Sequence, residues 1–424
     1  MDDYEELLHV ISTKKDIIKF LNEKNSIKCD DIEKYTISKN IIGEGSRGKI
    51  YKQKIKNKEY AVKKFPKEVL DMNVRKFFNT KEISLESIAD FYFNRKGIDK
   101  DFIIALNGGD KSVILKNYKA PPYSDPIVHT LKYRRFDTHE KIKSEGYFFL
   151  NESHVEYIIS VMCSDFLKKG ISINFLDAFG FTTCKNKKNI INDYFFMELI
   201  NNNLDNIDEC LLEKNFFQAL TIQLFHALAV CQTLKINHND LSYKNIFLKY
   251  IDKDTEFNGE KLITADYFHY SIRNKNIYLP YVPFIVKMGD YSLSAKYKYP
   301  MVTNAFLLLE GYSQNDENKA VPNWYSTYYD IVVFVMNAAL SYKNFNFMEN
   351  LADFVLGIGK NEKLWEKKII EIVGGTSSFR PNVNILEKKF SHVSPESVLF
   401  NKNIYGEFLK TPPAGKKIIT LGKI

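Results

Sequence analysis

The stretch from His238 to Leu248 constrains this chain most, because it places two polar groups at a fixed spacing ahead of a short apolar strand. Asp240 lies two residues after His238, and Asn245 lies five residues after Asp240. A carboxylate so placed can accept the proton of an attacking hydroxyl, and an amide oxygen can bind Mg²⁺ beside ATP phosphates. The spacing predicts a loop for phosphoryl transfer. It occurs in several classes of phosphotransferase and by chance, so the rest of the chain has to decide among them.

A glycine-rich stretch lies nearer the N-terminus, where residues 43 to 48 read Gly-Glu-Gly-Ser-Arg-Gly. Strand-like alternation precedes and follows it, whereas a dinucleotide-binding loop would open a helix. A glycine backbone can approach a phosphate closely. Lys63 follows within an alternating Ala-Val-Lys segment. The pair of features is more specific than either part, and its structural alternative is a plain hairpin with an exposed lysine.

Composition excludes several classes of protein. The 424 residues include 45% apolar and 26% charged side chains, which is ordinary for a globular chain and excludes a mainly disordered one. The net charge of +8 is scattered, with no concentrated nucleic-acid-binding arm. The five cysteines are dispersed, which argues against disulfides and against zinc. No apolar run approaches a membrane span, so we expect a protein of the cytosol or of a particle assembled there.

The motifs together resemble those of one known superfamily. Residues 43–48, Lys63, a Phe-Met-Glu segment at 196–198, the loop from His238, Asp290 and Asp330 occur in that order. Over residues 36 to 390 the chain resembles the eukaryotic-type protein kinases of serine and threonine. Its long inserts are most similar to those of kinases from large nucleocytoplasmic DNA viruses, of the poxvirus and giant-virus type.

The resemblance implies an α+β, bilobal protein-kinase-like fold with insertions. A small β-rich N-lobe would span residues 36–200, with an insertion at 66–145. A mainly helical C-lobe would span 201–409, with an extended hairpin or insertion at 250–282. We further expect a helical extension at 1–35, a buried helix at 216–234 in which His226 is a core residue, and a flexible basic tail at 410–424.

Two residue assignments, the partner of Lys63 and the second metal ligand, involve a choice. The partner of Lys63 should lie on the helix predicted at 153–168, which directly precedes two strands and the Phe-Met-Glu segment; Glu156 is the first choice and Glu152 the second. The second metal ligand is Asp290 or Asp266. Asp290 is preferred, because a continuous strand precedes it and Gly-Asp-Tyr-Ser-Leu-Ser surrounds it.

The implied function is transfer of the γ-phosphoryl group of ATP to serine or threonine hydroxyls of proteins, with Mg²⁺ or Mn²⁺ as cofactor. Viral structural proteins or host proteins would be partners, in host cytoplasm or in a virion, with no nucleic acid and no membrane span. Asp330 would hold the catalytic loop. Catalytic residues are Asp240, Lys63 and Lys244; metal ligands are Asn245 and Asp290; ATP-binding residues are Gly43, Glu44, Gly45, Ser46, Gly48, Ile50, Ala61, Lys63, Glu156, Met197, Glu198 and Ile200.

The chain also departs from the superfamily. Asn239 stands where regulated kinases carry arginine, so switching by phosphorylation is not expected. Ser242 replaces a usual lysine, whose charge Lys244 would supply, and Ser292 replaces a glycine after Asp290. No Ala-Pro-Glu segment is recognisable. A pseudokinase scaffold and a small-molecule phosphotransferase of the aminoglycoside or choline kinase kind therefore remain as alternatives.

Overall fold

The structure is a computed structural model, and it describes residues 41–45, 48–55, 58–65, 147–150, 152–185, 191–207, 215–296, 301–304, 325–342, 346–359, 365–373 and 383–424. Within these ranges the chain has a mixed α+β architecture. The helix predicted at 1–35 and the insertion at 66–145 lie outside the described residues, as does Ser46.

Strands and helices follow one another irregularly along the described chain. The strands are β1 (Ile41–Gly45), β2 (Gly48–Ile55), β3 (Lys58–Lys64), β4 (Tyr147–Leu150), β5 (Ala178–Lys185), β6 (Ile191–Glu198), β7 (Ile236–Asn237), β8 (Ile246–Tyr250), β9 (Glu256–Phe257), β10 (Glu260–Lys261), β11 (Tyr267–Ile272), β12 (Lys275–Pro280), β13 (Phe284–Met288), β14 (Ala295–Lys296), β15 (Met301–Asn304) and β16 (Ile418–Lys423). The α-helices are α1 (Glu152–Lys168), α2 (Phe216–Thr233), α3 (Tyr329–Ser341), α4 (Asn346–Leu356), α5 (Trp365–Val373), α6 (Val383–Phe390), α7 (Pro395–Leu399) and α8 (Lys402–Tyr405).

The N-terminal sheet has the strand order β1-β2-β3-β6-β5, and its neighbouring strands are antiparallel. β1 and β2 form a hairpin in which Gly45 lies opposite Gly48. A Cβ at Gly48 would lie 2.6 Å from the carbonyl oxygen of Lys64 on β3. A side chain at this position would push β2 away from β3, so close packing requires the last glycine of the glycine-rich stretch.

Helix α1 lies between two apolar cores and packs against β5 and β6. Its Tyr157 and Val161 enter a small cluster beside the N-terminal sheet. Val155 and Ile159, on another face, enter the large core that surrounds α2 and α3. The helix predicted at 153–168 is confirmed, and packing on two sides fixes the position of Glu156 between them.

Helix α2 is buried from Phe216 through Cys231, as its nearly continuous apolar sequence predicted. His226 is fully buried in it, and its ring lies 4.9 Å from that of Tyr270. Burial lowers the pKa of His226 to about 4, so the side chain is neutral at physiological pH. The prediction of a core histidine is confirmed.

Antiparallel strand pairs follow α2. β8 pairs antiparallel with β13, with Ile246 opposite Met288, so the residues just before β8 and just after β13 lie at one end of the pair. The chain between them contains the hairpin β11–β12, which confirms the extended hairpin predicted within 250–282. Arg273 and Asn274 form its turn, both with positive φ, as two-residue hairpin turns of type I′ require.

The C-terminal residues correct one prediction. The segment 410–424 was expected to be a flexible basic tail, but β16 pairs in parallel with β11 from Tyr267 onward. Its Ile419 and Leu421 are buried in the large core, although lysines flank the strand. The alternation Ile-Ile-Thr-Leu was the signal for a strand, and the lysines and prolines around it obscured that signal.

A further sheet has the order β4-β15-β14-β7. β14 pairs antiparallel with β7, the strand directly before His238, and β15 pairs in parallel with β4, just before α1. This sheet links the chain after Asp290 to the start of the helix that carries Glu156. It therefore helps to hold together the segments that form the site.

Candidate functional site

Lys63 is the centre of a buried charged cluster formed by three distant segments. Its Nζ lies 2.8 Å from Oε2 and 3.0 Å from Oε1 of Glu156, and 2.8 Å from Oδ1 of Asp290. The side chains of Lys63 and Glu156 are 4% and 1% exposed, and that of Asp290 is 29% exposed. The predicted contact of Lys63 with Glu156 is present, and the direct contact with Asp290 was not anticipated.

The charges in this cluster stabilise each other. Burial by itself would lower the pKa of Lys63, but the carboxylates of Asp290 and Glu156 outweigh it and raise that pKa well above its usual value. Burial would raise the pKa of Asp290, but the Lys63 ammonium lowers it below its ordinary value. The lysine is therefore cationic and Asp290 anionic at neutral pH. One lysine against two carboxylates leaves the cluster with a net negative charge.

Asn245 and Asp290 lie at the same end of the β8–β13 pair. The backbone N–H of Gly289 donates to the carbonyl oxygen of Asn245 at 3.1 Å. Asp290 has φ +57°, in the left-handed region that a non-glycine residue enters at some cost and that is enriched at functional sites. Asp266, the alternative metal ligand, directly precedes β11. Its side chain is exposed and pairs with Lys416 at 3.0 Å. Asp290 is thus the aspartate beside Asn245.

The loop from His238 to Asn245 is fixed by its own hydrogen bonds. Asn245 Nδ2 donates to the backbone oxygen of Asp240 at 2.7 Å, which closes the loop across its five-residue spacing. His238 is buried, and its Nε2 lies 2.9 Å from the carbonyl oxygen of Gly289. The side chain of Asp240 is partly exposed and accessible to a reacting group. The loop and the segment around Asp290 therefore form one hydrogen-bonded unit.

Asp330 holds the start of this loop from the core side. Its Oδ2 accepts the backbone N–H of His238 and its Oδ1 that of Asn239, both at 2.8 Å. Burial raises the pKa of Asp330, because the donated hydrogen bonds offset only part of the desolvation cost. Asn239 has φ +65°, and its side chain donates to the Leu293 carbonyl oxygen at 3.1 Å. The predicted contact of Asp330 with the loop is present.

Four of the predicted ATP-binding residues lie in one small apolar cluster. Ala61 and Met197 are opposite each other on β3 and β6 and are buried, and Ile50 and Ile200 pack against the same cluster while remaining partly exposed. The sequence reasoning missed members of this cluster. These are Phe65, Tyr157, Val161, Leu176, Ala178, Phe195 and the partly buried Leu199 and Phe247.

Phe247 had a usable signal, because it lies on β8 two residues beyond Asn245. Alternation along that strand turns it opposite to the buried Ile246 and Leu248, toward the N-terminal sheet. Gly289 faces it: a Cβ there would collide with Leu176 and lie 3.1 Å from the Phe247 ring. A larger residue before Asp290 would have to displace the Leu176 side chain, so the glycine allows the strand to pack closely against the apolar cluster.

Other predicted residues are placed differently. Gly43, Glu44 and Gly45 lie on β1, where the Glu44 carboxylate pairs with Lys49 at 2.9 Å on the exposed surface. Lys244 is exposed, and within the described chain no hydrogen bond or ion pair joins its ammonium to the cluster around Lys63. The side chain of Glu198 enters a second charged cluster. The structure therefore brings Lys63, Glu156, Asp290 and the loop of Asn245 together, and leaves Glu44 and Lys244 at the surface.

The donor atoms match the preferences of Mg²⁺. The Asp290 carboxylate and the amide oxygen of Asn245 are hard oxygen ligands, and the Asn245 nitrogen is already used within the loop. In the ranges that the structure covers, no group of three or more His, Cys, Asp or Glu side chains forms a metal cage. Mg²⁺ is typically bound by one or two protein ligands together with substrate phosphates and water, so this sparse donor set is compatible with it.

Among the described residues, no helix is long and apolar enough to cross a membrane. No protein-family model matches the sequence, and no curated protein sequence matches it. The geometry of the site is therefore the basis for a functional proposal.

Proposed function

We propose that this chain is an ATP-dependent protein kinase with a bilobal protein-kinase-like fold, which transfers the γ-phosphoryl group to serine or threonine hydroxyls. One observation carries the proposal. Lys63, Glu156 and Asp290 come from three segments far apart in sequence, and the Lys63 ammonium lies within 3.0 Å of both carboxylates. The adjacent loop presents Asn245 beside Asp290. This supports a site that holds polyphosphate and metal together.

The residues of the site would act mainly by position and charge. The apolar cluster of Ala61, Met197 and Ile200 accommodates the adenine ring, whose edge meets the backbone of 198–200. Lys63, oriented by Glu156, binds the α- and β-phosphates. Asn245 and Asp290 would hold Mg²⁺, which would supply positive charge to neutralise the phosphates. Fixing these groups in advance supplies most of the acceleration in phosphoryl transfer.

Asp240 is assigned as the base that accepts the proton of the acceptor hydroxyl. The hydroxyl oxygen of the acceptor forms a bond to the γ-phosphorus while the bond from that phosphorus to the bridging oxygen breaks, and ADP leaves with the electron pair. The hydroxyl proton passes to the Asp240 carboxylate. The hydrogen bond of Asn245 to the backbone of Asp240 and the support of Asp330 under the loop keep this carboxylate in place.

The test is phosphoryl transfer by the purified protein with Mg²⁺ and γ-labelled ATP, to itself or to a generic protein substrate. Asp240→Asn should lower the rate by about 10²- to 10⁴-fold, the range expected for a lost general base. Asp254→Asn is the control, since Asp254 lies in an exposed turn. Label that survives Asp240→Asn would overturn the assignment of the base.

Two further outcomes would overturn the proposed function itself. Wild-type protein that binds ATP·Mg²⁺ but transfers nothing would be a pseudokinase scaffold. Transfer to an aminoalcohol or a sugar, but to no protein, would make the chain a small-molecule phosphotransferase. Acid hydrolysis of the labelled protein identifies the acceptor, for which phosphoserine and phosphothreonine are expected and phosphotyrosine would contradict the assignment.

A further inference from the structure

A second buried cluster of charges lies behind the strand that faces the nucleotide, and the proposed mechanism does not use it. The Glu198 carboxylate contacts Lys287 Nζ at 3.1 Å and Lys249 Nζ at 2.7 Å. The side chains of Glu198 and Lys287 are 13% and 3% exposed. A buried lysine is costly, and an apolar pair of similar volume often stabilises a fold as well or better. The cluster therefore calls for a role beyond stability.

The position of the three residues indicates that role. Glu198 ends β6, and its backbone belongs to the segment assigned to the adenine edge. Lys287 lies on β13 three residues before Asp290, and Lys249 lies on β8 four residues after Asn245. One carboxylate thus contacts both strands that hold the metal ligands. The ion pairs of Glu198 therefore connect the segment assigned to the adenine base with the two strands next to the assigned metal ligands.

Neighbouring backbone strengthens the connection. Lys287 Nζ also donates to the Phe175 carbonyl oxygen at 3.0 Å. The Glu198 backbone N–H donates to the Asp177 carbonyl oxygen at 2.8 Å, and the Asp177 N–H donates to Glu198 Oε2 at 3.3 Å. Residues 175–177 connect α1 to β5, so the helix that carries Glu156 is attached to the same cluster.

The Glu198 carboxylate keeps its charge at neutral pH. Burial alone would raise the pKa of Glu198, but Lys287 and Lys249 outweigh it and lower this pKa to about 2. Burial lowers the pKa of Lys287, and the Glu198 carboxylate offsets part of that shift. Glu198 is therefore an anion that contacts lysine side chains on two strands.

We propose that Glu198 is a positioning residue, whose contacts with Lys287 and Lys249 set the distance between the adenine-facing backbone and the metal ligands Asn245 and Asp290. The inference rests on the proposed function and adds to it a side chain that no substrate atom touches. The affinity of a ligand that contacts only the adenine-facing backbone should not depend on this distance. The affinity of a ligand that contacts both the adenine-facing backbone and the metal ligands, such as ATP·Mg²⁺, should depend on it.

The experiment compares two ligands in the full chain. Dissociation constants for adenosine and for ATP·Mg²⁺ are measured for wild type, Glu198→Gln and Lys287→Gln. In both variants the preference for ATP·Mg²⁺ over adenosine should fall about tenfold, and in Lys287→Gln the adenosine affinity should stay within about twofold of wild type. Asp266→Asn, which removes the exposed pair with Lys416, is the matched control and should change neither value.

A double variant and a milder variant complete the test. Glu198→Gln with Lys287→Gln should lower the preference no further than either single change, because both act through one contact. If either buried substitution prevents folding, Lys249→Gln removes the half-exposed contact and should lower the preference by a smaller factor. An unchanged preference in the folded variants, or an equal loss for both ligands, would overturn the positioning role.

Failure of the proposed function would be seen elsewhere. Wild-type protein that binds ATP·Mg²⁺ without transferring phosphate would reject the kinase proposal, yet the comparison of the two ligands would still decide the role of Glu198. Wild-type protein that binds neither ligand would overturn both proposals.

Discussion

The cluster around Lys63 and the cluster around Glu198 both pair lysine with carboxylate side chains, and they differ in charge and in exposure. Around Lys63, one ammonium faces two carboxylates, and the Asp290 side chain is 29% exposed. Around Glu198, one carboxylate faces two ammonium groups, and the exposed member is Lys249 at the outer surface. The first has a surplus of negative charge at its open side, where a cation can bind. The second is satisfied within the protein, so its charges act on the chain itself.

The largest expected effect concerns stability at the Glu198 cluster. Lys287→Met should lower the free energy of unfolding by about 3 kcal/mol, because Glu198 is left buried with the half-exposed Lys249 as its remaining charged partner. The double variant Glu198→Leu with Lys287→Met should recover most of that loss, since no buried charge remains. Urea unfolding monitored by fluorescence gives both values. Additive losses in the double variant would show that the pair is not one unit.

The two lysines should differ most in catalysis. Lys63→Met should lower kcat/KM for phosphoryl transfer by about 10²- to 10³-fold, because a charge that faces the phosphates is lost. Lys287→Met should lower kcat/KM by less than about tenfold, because it weakens only the binding of ATP. Steady-state kinetics over a range of ATP concentrations separates the two. Equal losses would contradict the division between a reacting cluster and a positioning one.

Acid should weaken the Glu198 cluster over a defined range of pH. The pKa of Glu198 is lowered from 4.5 to about 2, so the folded protein holds fewer protons than the unfolded chain between these values. Its contribution to stability is present above about pH 4.5 and is lost as the pH falls toward 2; it is on the order of 3 kcal/mol. The stability difference between wild type and Glu198→Gln should therefore shrink over this range. A constant difference would contradict the shift.

Asp330 is a buried carboxylate outside both clusters, and it differs from them in that two backbone N–H groups contact it. Asp330→Asn should cost about 1–3 kcal/mol, because an amide oxygen can accept only one of these N–H groups well and the other faces the amide nitrogen. Thermal unfolding measures the loss, and transfer activity should fall along with the order of the loop. An unchanged stability would mean that the loop does not depend on Asp330.

The sequence predicted all three residues of the Lys63 cluster, but it did not predict the two lysines of the Glu198 cluster. Lys63, Glu156 and Asp290 each lie in a local pattern with a chemical purpose, namely an alternating strand, an amphipathic helix and a strand followed by Gly-Asp. Lys287 and Lys249 also lie on strands, but nothing local distinguishes them from exposed lysines. Their ion pairs depend on Glu198, which is 89 and 51 residues away along the chain. Such contacts arise from tertiary packing, which periodicity does not record.

The prediction of the fold was limited in the same way, because periodicity does not record contacts between distant segments. Long periodic segments such as α1 and α2 were predicted within one or two residues. The C-terminal strand was missed, because its apolar alternation is short and lies among lysines, and its partner β11 is about 150 residues earlier. Lys244 is exposed although it is next to Asn245 in sequence, and its role at the γ-phosphate stays a prediction. Proximity along a loop does not determine the direction of a side chain.

The central claim is that Asp290 and Asn245 hold a metal against phosphates bound by Lys63. The most direct test is the Mg²⁺ dependence of ATP affinity in wild type and in Asp290→Asn, with adenosine as the metal-independent reference. Mg²⁺ should tighten ATP binding to wild type by about tenfold or more, and Asp290→Asn should abolish this gain while adenosine affinity is unchanged. A gain from Mg²⁺ that persists in Asp290→Asn would contradict the account, because the metal would then be bound elsewhere.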